Sequence, residues 1–167
     1  MINDQSASDA AEFEELLAAE RGHLFAIAFS ILGDPGDAED AVQEAASAAW
    51  RGWATRTDPE HSRAWLMAIG VHQALHRRRW LTRSFAALMR KAERAQIDQH
   101  LEGDGRYIDL HRAFGRLSPQ QRAVVSLHYM SGFTVTECAD LMGCSAGAAA
   151  SHLSRALSKL RKELHHE

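Results

Sequence analysis

His72 and His76 stand one helical turn apart, the spacing of a metal pair on one face. No acid or cysteine lies close in the sequence to complete that set, and the remaining histidines are scattered. Cys138 and Cys144 are too few for a disulfide framework or a structural zinc site, and read as small buried hydrophobes. No Gly-rich phosphate loop occurs. These residues therefore predict no enzyme, no metal and no cofactor. The chemistry the chain does offer is ionic. Arg77-Arg78-Arg79 and the later series Arg155, Lys159, Arg161 and Lys162 are suited to phosphate neutralisation.

The net charge of −3 conceals a strong segregation. Residues 1–60 hold 3 Lys/Arg against 13 Asp/Glu, a balance of −10. Residues 61–95 hold 8 Lys/Arg against one acid, and residues 145–162 hold 4 against none. An acidic half beside two basic segments implies partners of different charge, one of them a nucleic acid.

The elements that must position these groups are helical. At 167 residues the chain allows one ordinary domain or two small ones. With 46% hydrophobic and 25% charged residues it reads as globular. The longest apolar run, Leu24 to Phe29, is far short of the ~20 residues a membrane helix needs. No basic-then-apolar leader opens the chain, so we expect a soluble cytoplasmic protein without membrane insertion.

Phe13, Leu16, Leu17, Leu24, Ile27, Ala28 and Ile31 recur at helical spacing. Gly33-Asp34-Pro35-Gly36 breaks the chain, with Asp34 as cap and Pro35 at the first position of a second helix running to about Trp53. Asp58-Pro59 repeats that start for a third helix ending in the arginine cluster. Ser84 to His100 is helix-compatible, and Gly103-Asp104-Gly105 is the best break. We place a first domain at 1–83, a linker at 84–106 and a second domain at 107–167, giving an all-α chain of two small helical domains.

The second domain opens with a short helix over Tyr107–Gly115. Ser118-Pro119-Gln120-Gln121 then forms a capping box, opening a helix to about Met130. Thr134 and Glu137 form another, opening a helix that ends at Gly143. Ser145 caps a last helix with Ala149, Leu153, Ala156, Leu157, Leu160 and Leu164 inward. Two helices about a Gly-containing turn read as a helix-turn-helix. In that unit the N-terminal residues of the second helix meet base edges. Here they are Ser145, Ala146, Ala148, Ser151, His152 and Arg155, with Lys159 further along.

The string Gly33 to Glu44, then Trp50, resembles the second conserved region of bacterial sigma factors, and Arg63-Ala64-Trp65-Leu66 with Ile69 and Arg77–Arg79 continues the match. Leu117 to Arg122, with Ala139, Leu141, Gly143 to Ser145 and Leu153 to Ala156, resembles the fourth region. Only these two regions are present, the layout of the extracytoplasmic-function group. The resemblance implies a factor that binds core RNA polymerase and directs it to promoter DNA, held by an anti-sigma protein when idle.

By that resemblance Asp37, Asp40, Gln43 and Glu44 dock on a basic polymerase surface. The stretch Thr55 to Arg63 with His72, His76, Arg77, Arg78 and Arg79 captures and melts the downstream element, the arginines fixing position on phosphates. Trp50 and Trp65 are expected in the core. His72 stands where the family often has Asn, and Ala45-Ala46 where bulky residues are usual, so the second helix buries less area. Ala148-Ala149-Ala150 carries no hydrogen-bond code, which leaves upstream reading to phosphate contacts. These departures leave open a second class, a sigma-like decoy that binds an anti-sigma protein without driving transcription.

Overall fold

A computed structural model describes residues 2–83 and 112–164. The expected linker, the helix over Ser84–His100, the Gly103–Gly105 break and the residues from Tyr107 to His111 lie outside the described residues.

The acidic half folds as three helices: α1 (Ile2–Leu32), α2 (Pro35–Gly52) and α3 (Ser62–Arg83). Asp34 caps α2 by accepting from the Asp37 N–H at 2.8 Å, with Pro35 at the first position, as the sequence predicts. Helix α2 ends at Gly52, and the chain continues in a 3-10 turn over Trp53–Thr55. Asp58-Pro59 does not open α3 directly. It opens a 3-10 turn, Pro59–His61, and α3 follows at Ser62. The Asp58 carboxylate meets the His61 ring at 2.7 Å rather than capping.

Leu24, Ile27 and Ile31 of α1, Ala41, Val42 and Ala49 of α2, and Leu66, Met67 and Val71 of α3 form the core of this half. Of the alanines standing where bulkier residues are usual, Ala45 is buried and Ala46 half-buried; Ala38, Ala41 and Ala49 are buried as well. Helix α3 approaches α1 so closely at Gly70 that a Cβ there would lie 2.5 Å from the Leu24 Cδ2. The chain just after α2 packs among aromatics of α1 and α3. Trp53 is 2% exposed, with Phe13 at 5.1 Å and Trp65 at 6.1 Å between ring centroids. Trp65 is half-buried, in keeping with a core role. Trp50 is not in the core. It is 45% exposed, with its ring centroid 5.3 Å from that of Phe13.

The second half contains α4 (Pro119–Val125), α5 (Val135–Met142) and α6 (Ala146–Leu164). Both predicted capping boxes form, Ser118 with Gln121 and Thr134 with Glu137. The helix after Ser118 is α-helical only to Val125 and then widens into a π-turn over Ser126–Met130. Gly143 ends α5 at φ +65°, where a side chain is strained. Ser145 caps α6 through the Ala148 N–H. Helices α5 and α6 with this turn form the helix-turn-helix. Among the described residues no strand occurs and no helix is long and apolar enough to cross a membrane.

The two halves pack together. Arg122, 8% exposed, donates to the carbonyls of Leu117 and Gly115 in its own half and of Ser30 and Ile31 at the end of α1. Ser126 Oγ donates to Ser30 Oγ at 2.7 Å. Buried donors thereby meet the carbonyls that the end of a helix leaves without partners.

Candidate functional site

Helix α2 places Asp37, Asp40 and Glu44 along one stripe, at i, i+3 and i+7. All three meet a single guanidinium. Arg77 of α3 donates to Asp37 Oδ1 from Nη2 at 3.0 Å and from Nε at 3.3 Å, to Asp40 Oδ2, and to Glu44 Oε1 at 3.2 Å. Arg77 is largely covered, and Asp37 is buried. Asp40, Gln43 and Glu44 are exposed. The stripe thus has an inner carboxylate behind an outer acidic face.

The sequence groups Arg77 with Arg78 and Arg79, but the helix separates them. His72, His76 and Arg79 share one stripe of α3 and line an open groove, while Arg77 is turned towards α2. Arg63 is also outside the groove. Its Nε donates to Glu20 at 2.9 Å and its Nη2 to the Ser131 carbonyl at 3.0 Å, and its guanidinium lies 4.7 Å from the Phe133 ring centre. It joins α1, α3 and the loop before α5.

The opposite wall of the groove is the helix-turn-helix: Met142, Gly143, Cys144 and His152, with Gln120 of α4. A Cβ on Gly143 would sit 3.6 Å from His72 Nε2, so the turn rests on that histidine. Cys144 is half-buried rather than buried. It lines the same groove as His72, His76 and His152. Even so, no group of three or more His, Cys, Asp or Glu among the described residues is placed to hold a metal. Ser145, Ala146, Arg155 and Lys159 of α6 are exposed, while Ala148, Ser151 and His152 are half-buried. Lys159 also donates to Gln121 Oε1 at 3.3 Å.

Arg56 lies within the stretch Thr55 to Arg63, but nothing in the sequence singles it out. Its guanidinium lies 3.6 Å from the Trp53 ring centre and donates to the Trp53 carbonyl, Ser62 Oγ and Glu12, fixing the loop before α3. No local signal links it to Glu12. Gln120 and Met142 were equally silent, because only tertiary packing brings them to α3.

Burial pushes the Cys138 thiol up from the ordinary 9.0 to about 11. Hydrogen bonds from the Thr134 hydroxyl and N–H hold the Glu137 carboxyl below its usual range.

Residues 16–84 match the family model for Sigma-70 region 2, and residues 107–160 match that for Sigma-70, region 4. The chain belongs to the sigma-70 family. Its relatives place it in the extracytoplasmic-function group. The RNA polymerase sigma-E factor of Streptomyces coelicolor is 29% identical over 154 residues, covering 92% of this chain and 86% of that protein. The ECF RNA polymerase sigma factor SigL of Mycobacterium tuberculosis is 26% identical over 169 residues, covering 98% and 94%. Among solved structures, the sigma factor RpoE of Bartonella quintana, in complex with the anti-sigma factor NepR, superposes with a TM-score of 0.68 at 26% identity, covering 93% of this chain and 98% of that one. The sigma factor described here acts in transcription initiation, binding core RNA polymerase and directing it to promoters.

Proposed function

We propose that the outer acidic face of α2, formed by Asp40, Gln43 and Glu44, is the polymerase-docking surface, with Asp37 supporting it from behind. The carrying observation is that Asp40, Gln43 and Glu44 stand exposed on one face of α2, with Asp37, Asp40 and Glu44 sharing the Arg77 guanidinium. An acidic face attracts a basic partner. We assign the first domain to residues 1–83, the linker to 84–106 and the second domain to 107–167. His72, His76 and Arg79, with Arg78, face the opened downstream DNA. Ser145, Ala146, Ala148, Ser151, His152 and Arg155, with Lys159, face the upstream duplex.

His152 and Cys144 are turned towards α3 across the groove, so duplex access to the start of α6 requires the two halves to part. The closed arrangement is thus the idle form. The relative solved with an anti-sigma factor supports such a protein as the idle-state partner of this chain. The sigma factor works in the cytoplasm and has no catalysis of its own. Titrating labelled protein with core polymerase tests the docking assignment. Asp40→Lys is expected to weaken binding at least about tenfold, the range for like charge placed against a charged interface. Unchanged affinity removes the role of α2.

A further inference from the structure

Arg77, a DNA contact by the family resemblance, meets the acidic helix α2 in the folded chain. Arg77 touches Asp37, Asp40 and Glu44 together. Those carboxylates lie one turn apart on α2, where like charges repel. A planar guanidinium presents several donors in a fixed fork, and a lysine ammonium cannot span the same three sites. Asp37 is 3% exposed, so it anchors Arg77 where water competes least. The outer contacts, to Asp40 and Glu44, then fix the two carboxylates that a partner meets. Arg21 holds Glu39, the acid beside this stripe, in a separate exposed pair at 2.7 Å.

We propose that Arg77 is a positioning residue for polymerase docking: anchored on buried Asp37, it sets the geometry of Asp40 and Glu44 and ties the docking face to α3, the helix that lines the groove. The proposal rests on the reading of Asp40 and Glu44 as docking residues. It gives buried Asp37 an indirect role, since its carboxylate acts on the partner through Arg77. It also means that Arg77 is spent on protein contacts and adds no phosphate contact.

The test is a double-mutant cycle on core-polymerase affinity, using the full chain and thermal melts as a fold control. One arm neutralises the face with Asp40→Asn plus Glu44→Gln. The other arm is Arg77→Ala, with Arg77→Lys as the variant that keeps the charge should Arg77→Ala fail to fold. We expect Arg77→Ala to weaken binding about fivefold to tenfold and Arg77→Lys to weaken it less. Both losses should shrink to within about twofold in the neutralised background. Asp37→Asn should weaken binding like Arg77→Lys. If neutralising the face leaves affinity unchanged, the docking reading itself fails. If the face matters but the Arg77 variants bind like wild type, or lose as much in the neutralised background as in the native one, Arg77 does not position the face.

Discussion

Arg77 Nη2 lies 3.0 Å from Asp37 Oδ1, joining α3 to α2 through a carboxylate that is 3% exposed. Breaking a buried pair by removing one partner costs about 3–5 kcal/mol. Arg77→Ala should therefore lower stability by about 3 kcal/mol in urea titration. Arg77→Met with Asp37→Leu, which removes both charges, should lose clearly less. Equal losses in the single and double variants would mean that the pair is not the source.

Arg79 lines the groove and Arg155 is exposed on α6, whereas Arg77 is covered by acids. Each phosphate contact contributes about −0.9 to the slope of log K against log salt on duplex DNA. Arg79→Ala and Arg155→Ala should each flatten the slope for polymerase holoenzyme on promoter DNA. Arg77→Ala should leave it unchanged. A slope that responds to Arg77 as it does to Arg79 would restore the arginine cluster as one phosphate-binding unit.

Ser30 and Ser126 meet across the two halves at 2.7 Å, and Ser126 is fully buried. Ser30→Asp combined with Ser126→Asp puts two like charges into that joint. Small-angle scattering should then report a larger radius of gyration, with helix content by circular dichroism retained. An unchanged radius would show that other contacts hold the closed arrangement.

Cys138 is buried with its thiol pushed up to about 11, and Cys144 is half-buried in the groove. Alkylation at pH 8 should modify Cys144 first and leave Cys138 until the chain unfolds. Burial favours the neutral thiol, so the unfolded chain loses this proton first. The Cys138 contribution is therefore present below about 9.0 and is lost as pH rises towards about 11. Cys138→Ala should remove that part of the alkaline slope of stability. Equal labelling rates for the two thiols in the folded chain would contradict the burial of Cys138.

Local signals carried most of the fold. Asp34-Pro35, Ser118 with Gln121, Thr134 with Glu137, and Gly143 act within a few residues, and each sets a helix end where the sequence places it. The 3-10 turn at Pro59 and the π-turn after Val125 were not legible, because tertiary packing decides how a helix end winds. The site was legible in kind but not in pairing. The acidic stripe and the basic cluster are plain in the sequence. That Arg77 turns towards the acids while Arg79 turns away depends on which face of α3 meets α2. Trp50 shows the same limit: an aromatic at helical spacing reads as core, yet it is 45% exposed beside the Phe13 ring.

Run-off transcription reads out promoter-directed initiation by this chain. Purified core polymerase is supplied with fragmented DNA from the source genome, with and without this protein. Promoter-directed initiation requires transcripts from defined start sites that appear only with the protein, and that are reduced by Asp40→Lys. Absence of both polymerase binding and protein-dependent transcripts would contradict it.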